Sequence, residues 1–99
     1  MPDIYKYFGY VFFFHSNEHD PIHVHVQHDG GEAVFELILE NGQLTEIRQR
    51  KQKGPALSEK DLKTAREFVE RYAHNIVEKW VNFFIYRKKV RITKITKKL

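Results

Sequence analysis

Two short turn signals, Asp29-Gly30-Gly31 and Asn41-Gly42-Gln43, each sit between runs of β-forming residues, and nothing else in the chain constrains its fold as much. An Asx-Gly pair supplies the positive φ that a tight hairpin needs at both central residues, so the flanking runs should be antiparallel neighbours. Before the first signal, residues 22–28 alternate, with Ile22, Val24 and Val26 on one face and His23, His25 and Gln27 on the other. His28 takes the parity of Val24 and Val26. Between the signals, EAVFELILE puts Ala33, Phe35, Leu37 and Leu39 on one face, and Val34, Glu36, Ile38 and Glu40 on the other. Residues 44–52, LTEIRQRKQ, form a weaker strand whose Lys and Arg suit an exposed edge. Upstream, residues 4–15 (IYKYFGYVFFFH) are apolar on both parities, the pattern of one strand buried on two sides, and SNEHDP then turns the chain. A four-stranded antiparallel meander follows from these signals.

Gly54 and Pro55 end the strand pattern, and Ser58 with Asp61 three residues later marks a helix start near Glu59. Apolar residues then recur at Leu62, Ala65, Val69, Tyr72, Ile76, Trp80 and Phe83, the stripe of one long amphipathic helix reaching to about residue 82. Trp80 and the other aromatic residues of this stripe read as core, and His74 as a solvated residue of the polar face. Residues 90–96 alternate weakly, as a short basic strand pairing on a sheet edge or across a dimer would. The expected fold class is α+β, with the helix packed on one face of the sheet. Residues 1–86 are the expected single domain and residues 87–99 a basic C-terminal extension. One helix cannot cover both faces of a strand as apolar as residues 7–14, so a homodimer is expected.

The 99 residues suffice for one core and not for two, and eight Phe, five Tyr and one Trp make that core aromatic. No apolar run approaches the roughly 20 residues of a membrane helix, and the N-terminus lacks the pattern of a signal peptide. A cytoplasmic protein without membrane attachment is the expectation. With no Cys, metal ligands must come from His, Asp and Glu. The net charge of +4 is unevenly placed: every acid lies at or before Glu78, while residues 79–99 carry eight Lys or Arg. Such a segment suits phosphates of nucleic acid or an acidic protein partner, or is simply solvated.

Three of the six histidines fall within HVHVQH. His23 and His25 project from one strand face and are placed to chelate a divalent metal such as zinc. His15 joins them if it stands across the hairpin from His23; a slip of one residue sends it to the opposite face. Glu18 completes a candidate ligand set of His15, His23, His25 and Glu18, and Asp20 is placed to orient an imidazole. A second reading needs no metal: His23, His25 and His19 act as acid and base in phosphodiester cleavage, with Arg48, Arg50, Lys51 and Lys53 holding phosphate. A third is an ordinary polar sheet face. Arg87, Lys88, Lys89 and Arg91 extend the candidate nucleic-acid contacts into the tail.

The string FFFHSNEHDPIHVHV, with GGEAVFEL and a later helix carrying Trp80, resembles a family of small bacterial proteins catalogued as domain of unknown function 4160. The correspondence includes the Met1-to-Ile4 start, the aromatic run ending at Phe14, Glu18 and His19 before Pro21, and His23 with His25, over roughly residues 1–84. The resemblance brings no established reaction. It implies an association with toxin-antitoxin-like systems, and the basic tail departs from the family pattern. Two functional expectations follow: a small regulatory protein acting on nucleic acid through its histidine cluster, or a non-catalytic module binding nucleic acid or an acidic partner through its basic segments.

Overall fold

In the computed structural model, which describes residues 2–15 and 21–99, one mixed sheet is covered on one face by two helices. The strands are β1 (Asp3–Tyr7), β2 (Tyr10–Phe13), β3 (His23–His28), β4 (Gly31–Glu40), β5 (Gln43–Arg50) and β6 (Thr93–Ile95). The helices are α1 (Glu59–Arg71) and α2 (Ala73–Phe84). The sheet order is β5-β4-β3-β2-β1-β6, and every pairing is antiparallel except β1 with β6.

The α+β class and the meander are as expected, with two corrections to the elements. Residues 4–15 form a hairpin, not a single strand. Phe8 and Gly9 take φ of 42° and 86°, the same doubly positive pattern as Asp29-Gly30 and Asn41-Gly42. Reversal at Gly9, together with a register shift between Asp3 and Tyr5, explains why apolar residues occur on both parities: Ile4, Tyr5, Tyr7, Tyr10, Phe12 and Phe14 all join the helix-side core.

The expected long helix is two. Ser58 Oγ accepts from the Asp61 N–H at 3.1 Å, which caps α1 as read from the sequence. At Tyr72 the backbone leaves helical geometry (φ −106°, ψ 19°) while its N–H still donates to the Phe68 carbonyl. The Tyr72 ring packs on Phe68 and Tyr5, at 4.6 and 5.6 Å between centroids. No Gly or Pro announces this break. Phe68 is the centre of the aromatic core, with Phe12 stacked on it at 4.2 Å and Tyr7 and Tyr5 at 5.1 and 5.4 Å.

The tail carries a strand, shorter than the sequence suggests, and it pairs parallel to the free edge of β1 within the same chain. Lys79 holds it there, donating to the Arg91 carbonyl at 2.7 Å, to Thr93 Oγ1 at 2.9 Å and to the Ile4 carbonyl at 3.1 Å. On the sheet face away from the helices, Phe13 and Val34 are 1% and 3% exposed within the single chain. The apolar surface that motivated a dimer is therefore smaller than the sequence suggests. No helix among the described residues is long and apolar enough to cross a membrane.

Candidate functional site

The β2–β3 register decides the histidine question. Val11 pairs with Gln27, Phe12 with Val26 and Phe13 with His25, and carrying the register two residues further puts His15 across from His23. His15, His23 and His25 therefore share the face opposite the helices. His25 is buried and stacks on Phe13 at 5.2 Å; the exposed His15 ring meets it edge-on at 4.1 Å, and His23 lies 5.4 Å away. His23 Nδ1 is 2.8 Å from the Pro21 carbonyl oxygen, which can only accept, so Nδ1 carries the proton.

Sequence reasoning missed the carboxylate of this cluster. The Asp29-Gly30 turn pairs Gln27 with Glu32, which places Glu32 on the histidine face. Its Oε2 lies 3.6 Å from His25 Nδ1, and ligand atoms of His15, His25 and Glu32 all fall within 4.8 Å of one another. Tetrahedral zinc with bonds of about 2.0–2.1 Å sets its ligand atoms about 3.4 Å apart, so small side-chain adjustments close the site on an ion. Glu32 is held in place by two contacts: its Oε1 accepts from Gln27 Nε2 at 3.1 Å, and its backbone N–H donates to the Pro55 carbonyl at 3.0 Å. The signal was present as turn-defined parity. Of the other ligand and acid-base candidates, Glu18 and His19, with Asp20, lie outside the described residues.

A second cluster forms at the hairpin end, on the helix side. His28 Nε2 lies 3.3 Å from Asp29 Oδ2 and 3.8 Å from Asp61 Oδ2. The His28 ring stacks on Tyr10 at 3.9 Å and 6°, and the Tyr10 hydroxyl donates to Asp61 Oδ1 at 3.0 Å. Burial raises the Tyr10 hydroxyl pKa above its usual value, with a hydrogen bond to Thr64 opposing the shift and Asp61 adding to it. Asp61 comes from α1, more than thirty residues away in sequence, so spacing alone did not reveal this group.

The candidate phosphate contacts divide into two sets. Arg50 is taken by Glu36, with nitrogen–oxygen distances of 2.7 and 2.8 Å, and Arg48 by Glu46 at 3.1 Å. That pairing lowers the Glu46 pKa and raises that of Arg48. Lys51, Lys53, Arg87, Lys88, Lys89 and Arg91 are exposed and form no ion pair among the described residues. His74 is exposed and Trp80 is buried in the core, as the sequence suggests.

No curated protein and no solved structure matches this chain. The sequence model of the family described as Domain of unknown function (DUF4160) matches residues 9–81, well over half of the chain, and spans both clusters. The histidine strand, the carboxylate hairpin and the first turn of α1 all lie within that match, and the chain belongs to the DUF4160 family.

Proposed function

We propose that this protein is a small regulatory component of the toxin-antitoxin kind that acts on nucleic acid, with His15, His25 and Glu32 as a divalent-cation centre of the zinc class. The observation that carries the reading is the convergence of two imidazoles and one carboxylate within 4.8 Å on a sheet face that bears no helix among the described residues. Such a donor set leaves coordination positions open, and a cation held there polarises a phosphoryl oxygen or lowers the pKa of a bound water. His23 adds an imidazole beside His25. Exposed Lys51 and Lys53, just beyond β5, supply charge for the phosphate backbone.

The test is cleavage of single-stranded RNA by the full chain, with and without zinc, compared with Glu32→Gln. Glutamine keeps an acceptor for Gln27 and removes the ligand charge, so the fold should be retained, as a thermal melt would verify. Cleavage should require the cation and fall by more than about 100-fold, because losing even an outer partner of a metal ligand costs about 10–100-fold. Cleavage that is equal in the variant, or absent from the wild type at saturating zinc, would sink this reading.

A separate observation favours a second reading, a non-catalytic module for nucleic acid or an acidic partner. Arg87, Lys88 and Lys89 form an exposed run beside Phe83, around a hollow of about 210 Å³. This reading requires binding that weakens with salt, with a log–log slope of about −0.7 per phosphate neutralised on a single strand. Such binding survives Glu32→Gln and is lost on truncation after Tyr86. Self-association is required by neither reading.

A further inference from the structure

We propose that His28, Asp29 and Asp61 bind a second divalent cation, of the manganese or zinc class, and that this cation carries a phosphate-bearing ligand into the cavity beside it. The site shares no ligand with the His15–His25–Glu32 centre: His28 and Asp61 stand on the helix side of the sheet, and the cavity lies at the hairpin end, where Glu32 also lines it. The separations of 3.3 and 3.8 Å from His28 Nε2 to the two carboxylates approach the spacing of about 3.0–3.4 Å between ligand atoms on one such ion.

Two of the three groups, Asp61 and His28, are already oriented. Tyr10 donates to Asp61 Oδ1, leaving Oδ2 towards the imidazole, and the stacked Tyr10 ring fixes the plane of His28. Gly9 allows the close approach: a Cβ there would lie 3.2 Å from His28 Cε1 and 3.4 Å from Nδ1. With Nδ1 buried and without a hydrogen-bond partner among the described residues, Nε2 is the ring nitrogen open to a ligand. Metal ligation at Nε2 leaves the proton on that unpartnered Nδ1, which costs affinity and makes the site suited to an exchangeable ion and not to a permanent structural one.

The cavity supplies an independent argument for a second ligand. Its volume is about 420 Å³, and Gly9, His28, Asp29, Glu32 and Lys53 contribute to its walls. A single ion with its waters does not need that space, since a water occupies about 30 Å³, whereas small-molecule sites begin near about 300 Å³. Lys53 is the one Lys or Arg in the lining among the described residues, and Asp29 and Glu32 repel a bare anion. A cation on His28, Asp29 and Asp61 neutralises Asp29 and offsets the remaining repulsion from Glu32, so phosphate binding depends on the metal.

The experiment uses the full chain carrying His15→Ala, which weakens the first centre by one imidazole at a residue that does not line the cavity. Manganese is titrated by electron paramagnetic resonance, and inorganic phosphate is then followed by phosphorus NMR line broadening. One equivalent of manganese should bind, and added Asp29→Asn should weaken it by at least about 10-fold. Asparagine tolerates the φ of +47° at this exposed turn, so the variant should fold; Asp61→Asn gives a second reading. Phosphate should bind only with manganese present, and Lys53→Gln should weaken phosphate several-fold while leaving manganese unchanged. The proposal is overturned by manganese affinity indifferent to both Asp variants, by phosphate binding without the metal, or by none with it. Loss of zinc-dependent RNA cleavage would leave these outcomes untouched, so this site and the nucleic-acid reading fail separately.

Discussion

Tyr5 is 3% exposed, and its burial, followed by the nearby Tyr72 and Glu78, raises its hydroxyl pKa from 10.0 to about 12. The folded state thus holds the phenolic proton more tightly than the unfolded chain does. The resulting stabilisation is fully present below pH 10 and is lost as pH climbs towards 12, with a ceiling of about 2–3 kcal/mol. Tyr5→Phe should remove that loss while keeping the ring beneath the Lys79 ammonium, 4.5 Å from its centroid. Urea midpoints at pH 8 and pH 11.5 provide the check: the wild type should lose more stability than Tyr5→Phe, and equal losses would exclude the effect. At this scale the histidine face was legible, because strand alternation fixes which side His23 and His25 take. Glu32 was legible in principle through the hairpin pairing. Asp61 was not, because its approach to His28 depends on how α1 docks.

At the scale of elements, the three hairpin turns share one backbone pattern but different chemistry. Asp29-Gly30 and Asn41-Gly42 announce themselves, since Asx residues tolerate positive φ. Phe8-Gly9 does not, because an aromatic residue in the first position reads as strand, and only the isolated glycine hints at a reversal. Gly30→Ala, with nothing within 4 Å of the added Cβ, should cost about 1–2 kcal/mol for the left-handed backbone alone. Gly9→Ala carries the same backbone cost and also presses on His28, so its melting temperature should fall further than that of Gly30→Ala. Equal losses would mean that His28 yields freely and that the second cluster is not tightly oriented. The break at Tyr72 was hidden for a different reason. The apolar stripe continues through it, and only the packing of Tyr72 on Tyr5 and Phe68 distinguishes two helices from one.

For the whole molecule, a radius of gyration of 12.7 Å matches the roughly 13 Å of a compact 100-residue domain, so the basic tail lies on the body of the protein. Charge counting identified the tail as a cation; it could not show that Lys79 would fasten it as a sixth strand, since the contacts come from α2, β1 and β6 together. Burial lowers the Lys79 pKa, as expected for an ammonium held between elements. The sheet in turn makes the histidine centre a matter of global register: β2, β3 and β4 must all pair as they do for His15, His25 and Glu32 to meet. Zinc K-edge X-ray absorption tests that convergence most directly, on the full chain carrying Asp29→Asn and loaded with one equivalent of zinc. A shell containing at least two imidazole nitrogens and a carboxylate oxygen at about 2.0–2.2 Å is predicted, with one imidazole lost on adding His15→Ala. A shell of oxygens alone, or one unchanged without His15, would contradict the account.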